Sequence, residues 1–293
     1  MALNPVQQGG TGPLSRSEPS SLPDVPVLTC LPGERRGYAP GPVGLVHYRE
    51  MGGGRPLLLA HQAPWSSIQY HKVMPLLAAQ GFHVIVPDMP GHGMSDPTPG
   101  DPTIALYAEC AAAVLDALGI DRAVAAGQHG GALVAGRLAA TQPGRITRLA
   151  MDNAPFYTAG ERAERAARRT RGAARLRPDG AHFTERWASV RQFGDPEWSD
   201  ETVHMAVTTV FINGPWADQG FLAGASHDFR PDLEAIRCPT LVVGGRRDML
   251  YAHAARILAL RPDFDQAEFP GGPAMVYEHV DIWSRTIGGY LAR

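Results

Sequence analysis

Five short apolar runs recur along this chain, each separated from the next by a helical pattern. The runs are Pro56–Ala60, Phe82–Val86, Arg122–Ala126, Ile146–Met151 and Thr240–Val243. They are continuous rather than alternating, as strands buried on both faces must be. The intervening helix patterns fall at Ile68–Gln80, Tyr107–Leu118 and Gly131–Thr141, with a further one at Val280–Leu291. Strands alternating with helices predict βαβ units and a mostly parallel sheet. Right-handed crossovers then put helices on both faces. Val43–Arg49 alternates instead and predicts a more exposed antiparallel strand.

The alternation breaks between about 156 and 236, where helical patterns occur without a convincing strand. The chain is therefore expected to divide into a core of about 26–155 and 237–293, a helical cap of 156–236 and a flexible tail of 1–24. The tail is rich in Gly, Pro, Ser and Gln. Seven arginines between Glu161 and Arg177 read as a solvated helix face, with an anion-steering rim as the alternative. Lys72 is the only lysine.

Composition excludes several classes. A formal net charge of −2 gives no support to nucleic-acid or polybasic membrane partners. No apolar run approaches the ~18 residues of a membrane span, and the first residues carry no signal-peptide pattern, so a cytoplasmic protein is expected. Three scattered cysteines suit neither a disulfide framework nor a zinc site. No metal-ligand cluster or dinucleotide fingerprint appears, so no metal and no cofactor are expected.

Four local features occur in chain order. The first strand ends in His61-Gln62-Ala63-Pro64. The next leads into Pro90-Gly91-His92-Gly93-Met94-Ser95. Gly127-Gln128-His129-Gly130-Gly131 joins a strand to a helix. Finally, Leu241-Val242-Val243-Gly244-Gly245-Arg246-Arg247-Asp248 ends a late strand on an acid. Together they resemble the α/β-hydrolase superfamily, from about Pro26 to the C-terminus, with 156–236 in the place of its cap. In that family a Gly-x-Ser-x-Gly elbow holds a nucleophile on a strained strand-to-helix turn. Here both glycines are kept and His129 stands at the nucleophile position.

The family's catalytic histidine belongs to a Gly-His-x-x-x-x-Glu loop before the last helix. Anchoring on Tyr277-Glu278 puts Ala274 at that position, and His279, five residues later, reads as structural. Asp248 matches the acid position, with Asp152 as an alternative. The triad thus reads His129, Ala274, Asp248. The two changes look complementary, because an imidazole on the elbow reaches toward space that Ala274 leaves open. The sequence is also similar to hydrolase-like sequences with histidine at the elbow and none in the last loop. The resemblance implies a backbone oxyanion hole at Ala63 and Gly130.

Such a site suits a cofactor-independent enzyme acting on a small carbonyl compound such as an ester or lactone. His129 would be its base or nucleophile. A lyase, isomerase or cyclase using the same base is the first alternative, and a small-ligand-binding protein the second. His61, Gln62, Trp65, Gln128, His182 and Ala274 are the expected pocket residues. Ser66 and Ser67 read as helix caps rather than substitute nucleophiles.

Overall fold

A computed structural model describes residues 30–167 and 176–293; the expected tail over 1–24 and part of the arginine-rich stretch lie outside them. The strands are β1 (Glu34–Gly41), β2 (Gly44–Met51), β3 (Arg55–Ala60), β4 (Phe82–Pro87), β5 (Ala123–Gln128), β6 (Ile146–Asp152), β7 (Thr240–Gly245) and β8 (Asp265–Phe269). They form one sheet in the order β1-β2-β4-β3-β5-β6-β7-β8. β2 runs antiparallel to both of its neighbours. All other pairings are parallel.

Adjacent residues of β3 show why the apolar runs are continuous. Leu58 packs on one face with Ile85, Val114 and Leu138. Leu57 and Leu59 pack on the other with Val84, Trp283 and Leu291. Both faces are dry, so neither set of positions tolerates a polar residue. On the first face lie α2 (Ile104–Ala117) and α3 (Gly130–Thr141), which contribute Val114 and Leu138. On the second lies α1 (Met74–Ala79), through Leu77.

The region between β6 and β7 is helical among its described residues. It contains α4 (Ala159–Ala167), α5 (Ala181–Phe193), α6 (Asp200–Asn213), α7 (Gln219–Ser226) and α8 (Arg230–Ala235). α8 is fastened to the core helix α3 by an Arg137–Asp232 ion pair at 2.7 Å. The rest is pinned to the core around the sheet's C-terminal end. Asn213 Nδ2 donates to Pro64 O at 2.5 Å, and Arg247 Nε pairs with Asp195 at 3.0 Å. Ser199 N and Oγ both donate to Glu278 at 2.8 Å. No helix among the described residues is long and apolar enough to cross a membrane.

Some elements differ from expectation. β1 and β8 were not anticipated, because both are edge strands of polar sequence, ERRGYAPG and DQAEF. An edge strand faces water and carries no continuous apolar run. The helix expected at Ile68–Gln80 is instead a 3₁₀ turn at Ser67–Tyr70 followed by α1. Pro75 lacks an N–H and sits in the first turn of α1, so it starts that helix rather than continuing an earlier one. After α9 (Tyr251–Leu260) and α10 (Met275–Glu278), the last expected helix, Val280–Leu291, is divided into α11 (Val280–Trp283), a π-helical turn at Ser284–Gly288 and α12 (Gly289–Leu291).

Candidate active site

Gln128, Asp152 and Val243 are paired across β5, β6 and β7, so these strands end in one layer. The elbow rises from that layer. His129 has φ 47° and ψ −119°, a backbone conformation uncommon for any residue but glycine. Its N–H donates to Asp152 O at 2.9 Å, and its carbonyl accepts from Ala132 N–H at 2.9 Å. Two glycines make the turn possible. A Cβ at Gly127 would stand 2.1 Å from Gly131 O, and one at Gly131 would stand 2.0 Å from Ala60 O.

The imidazole points to the loop after β7. His129 Nε2 lies 2.7 Å from Asp248 Oδ2. Asp248 Oδ1 accepts the Leu250 N–H at 2.8 Å. The Asp248 side chain is fully buried, whereas 16% of the His129 side chain is exposed. A carboxylate only accepts, so Nε2 carries the hydrogen of this bond. In the neutral ring Nδ1 then holds the free lone pair, and it has no hydrogen-bond partner among the described residues. Burial pulls the ring's pKa down. The charge and hydrogen bond of Asp248, aided by the charge of Asp152, more than offset this, and the net shift is upward from 6.5.

Asp152 is not bonded to the ring. Its Oδ2 accepts from Trp283 Nε1 at 2.9 Å and its Oδ1 from Asn153 Nδ2 at 2.8 Å. Burial, with the Asp248 charge, lifts this carboxyl to about 7, against the lowering effect of Trp283, His129 and Asn153. Asn153 shares the positive-φ conformation at 49°, and its Oδ1 accepts the Gly245 N–H at 2.7 Å.

The N–H groups of Ala63 and Gly130 find no acceptor among the described residues. Gly130 opens α3, where a helix leaves its first amides without internal partners. Both residues border one cavity of about 10 Å³. Helix α7 passes close by: the Gly220 carbonyl lies 3.9 Å from where a Gly130 Cβ would be.

Three buried glutamines tie the loop after β3 to the elbow. Gln62 N–H donates to Gln69 Oε1 at 2.8 Å, and Gln69 Nε2 donates to Gln128 Oε1. Gln128 Nε2 donates to Pro273 O at 2.7 Å, which anchors the loop containing Ala274. Gln128 is therefore held inward and fully buried, and it borders neither small cavity. Gln69 is not among the expected site residues, since its acceptor Gln128 lies 59 residues away in sequence.

The other expected pocket residues are placed as follows. His61 is buried with both nitrogens engaged: Nδ1 donates to Gln62 O at 3.0 Å and Nε2 accepts the Met89 N–H at 2.9 Å. It is a structural residue on the wall of the small cavity. Trp65 is buried against Tyr277, with ring centroids 5.4 Å apart, in a cluster with Met205 and Ala206 of α6. His182 packs inside the cap against Phe183 and Phe211, and its Nδ1 accepts the Arg177 N–H at 3.2 Å. It borders neither small cavity. Ala274 is buried and borders a second crevice of about 10 Å³ with Arg247, Asp195 and His279. Ser66 occupies a cap position but makes no capping bond, so the expected capping role is not fulfilled. Ser67 Oγ instead accepts from Arg49 Nε at 3.0 Å.

A parallel sheet with a glycine-bounded elbow after β5 and an acid after β7 defines the class. The chain belongs to the alpha/beta hydrolase fold family, whose sequence profile matches residues 55–280. It is 33% identical over 142 residues to bifunctional epoxide hydrolase 2 of Mus musculus, a match covering 47% of this chain and 26% of that one. It is 26% identical over 211 residues to the (E)-2-((N-methylformamido)methylene)succinate hydrolase of Acinetobacter baylyi, covering 69% of this chain and 76% of that one. Among solved structures, a hydrolase from Pseudomonas aeruginosa superimposes with a TM-score of 0.72 at 23% identity, covering 88% of this chain and 98% of that one. At that identity the likeness concerns the fold.

Proposed function

We propose that this chain is a hydrolase of small carbonyl compounds, esters or lactones, in which His129 is the general base and Asp248 its orienting carboxylate. The observation that carries this reading is the 2.7 Å His129 Nε2–Asp248 contact on a strained elbow. Nδ1 takes a proton from water as the water oxygen bonds to the substrate carbonyl carbon. The carbonyl π pair moves onto oxygen, where the N–H groups of Ala63 and Gly130 receive the charge. When the tetrahedral adduct collapses, the leaving alkoxide recovers the proton from Nδ1. Asp248 stabilises the imidazolium between these events, as the third member of an ordinary triad does. The relatives named as hydrolases support the reaction type. The three free thiols suit a reducing, cytoplasmic setting.

The experiment is a product-resolved screen of esters, lactones and β-dicarbonyls with the wild-type chain beside His129→Gln, whose amide can still donate to Asp248. Hydrolysis products that disappear with His129→Gln support the proposal. Isomerised or cleaved products without water uptake would transfer the same base to lyase or isomerase chemistry. Tight binding without turnover, unchanged by the substitution, would make the chain a binding protein.

The pH profile follows from the sign of the shift. Only neutral His129 can accept a proton, and its pKa is raised above 6.5. We expect kcat/KM to be flat at high pH and to fall tenfold per unit below that raised value. Asp248→Asn removes the raising charge, so the inflection should move to lower pH. A profile rising toward acid would exclude His129 as the base.

A fluorophosphonate should give no adduct by intact-mass analysis. Ser67 Oγ is bonded to Arg49, and Ser95 Oγ donates to Asp88 O at 2.7 Å. Ser66 is buried, and among the described residues no imidazole is hydrogen-bonded to its hydroxyl. Stoichiometric labelling of any of the three would move the nucleophile away from the elbow.

A further inference from the structure

Beside Ala63 and Gly130, the small cavity is lined by His61, Met89, His92, Tyr107 and, from the cap, Gly220. His92 and Tyr107 are only 1% and 2% exposed, yet His92 Nε2 and Tyr107 Oη have no hydrogen-bond partner among the described residues. Buried polar atoms are almost always satisfied, by protein or by ordered water. These two do not satisfy each other. Their rings meet edge to face with centroids 6.3 Å apart. His61, the other imidazole on the wall, already has both nitrogens engaged.

The chemistry of the two atoms is complementary. His92 Nδ1 lies 3.2 Å from Pro90 O, and a carbonyl can only accept, so Nδ1 carries the hydrogen and Nε2 a lone pair. Burial and the neighbouring His61 hold the His92 pKa down at about 3, so the ring is neutral. Tyr107 offers a hydroxyl that burial keeps protonated. A molecule satisfying both must donate to Nε2 and accept from Oη. Size selects which molecule. The cavity is about 10 Å³, close to one water-sized probe and too small for an alcohol carbon as well.

We propose that this cavity, bordered by Ala63 and Gly130, is a binding site for one water molecule held between His92 Nε2 and Tyr107 Oη. A Cβ at Gly220 would stand 2.6 Å from Ala63 Cβ and 3.4 Å from His92 Nε2, so the backbone of α7 lines the cavity from the cap. His129 does not border the cavity. The bound water is thus a resident of the Ala63 loop and distinct from the water that His129 would activate. The site stands whether or not His129 is a base.

The test is a crystal structure of the full chain at a resolution that shows ordered water, with ¹⁵N spectra of histidine-labelled protein. We expect a density peak within about 3.2 Å of both atoms. The unprotonated His92 Nε2 should resonate at the position of a hydrogen-bond acceptor. Tyr107→Phe should reduce the peak to background and move that resonance toward the unbonded position. A direct Tyr107–His92 bond, a cavity without density in an ordered wild-type crystal, or an unchanged peak in Tyr107→Phe would each overturn the proposal. Should Tyr107→Phe fail to fold, the wild-type peak and resonance decide alone.

Discussion

His129→Ala should lower kcat on any hydrolysed substrate by about 10²–10⁴-fold, the usual contribution of a positioned general base. The position is unusual in needing both φ 47° and a ring that reaches Asp248. Alanine tolerates the first no better than histidine and lacks the second entirely. It also leaves the fully buried Asp248 carboxyl without the ring, retaining only the Leu250 N–H. Stability is therefore expected to fall as well, because an uncompensated buried charge is costly. His129→Gln separates the two losses. Its amide restores a donor to Asp248 but cannot take up a proton, so stability should recover while turnover stays down. His129→Ser should not create an esterase, since residue 274 offers no imidazole to activate it. Full activity in His129→Ala, measured by steady-state kinetics, would remove His129 from the mechanism.

Gly131→Ala should be the most destabilising single methyl group in the site. Its Cβ would fall 2.0 Å from Ala60 O, with His61 O 2.7 Å away, and both are backbone atoms that cannot swing aside. Either the α3 start or the end of β3 must move, and both belong to the buried sheet layer. A loss above about 4 kcal/mol is expected, at the exceptional end of point substitutions. In a thermal melt this corresponds to a drop on the order of 10 °C, or to failure to fold. Gly130→Ala, one residue earlier, is the contrast. Its nearest non-local atom is 3.9 Å away, so the melt should change by only a degree or two. Equal melts for the two variants would contradict the tight approach of α3 to β3.

These glycines also show what is legible in a sequence of this kind. A strand-to-helix turn with glycine on both sides is a local steric statement, and five continuous apolar runs are a local statement about burial. Both can be read without knowing the fold. Asp248 was reachable only through resemblance, because it lies 119 residues from His129 and nothing local marks it. The glutamine chain was not legible. Gln128 and Pro273 are 145 residues apart, and an amide that holds a loop looks, in sequence, like one that faces a substrate. β1 and β8 escaped for a different reason. Edge strands obtain their register from a neighbour, so their own residues need not be apolar.

The bond from Trp283 to Asp152 has an optical consequence. The indole is fully buried, and its N–H points at a carboxyl that changes charge near pH 7. A charge appearing at the pyrrole end of an indole displaces its absorption and emission bands. Helix α11 therefore carries a built-in chromophore for the ionisation of the elbow's surroundings. Near-ultraviolet dichroism or fluorescence of Trp283 can follow that event without substrate, and Trp283→Phe supplies the blank.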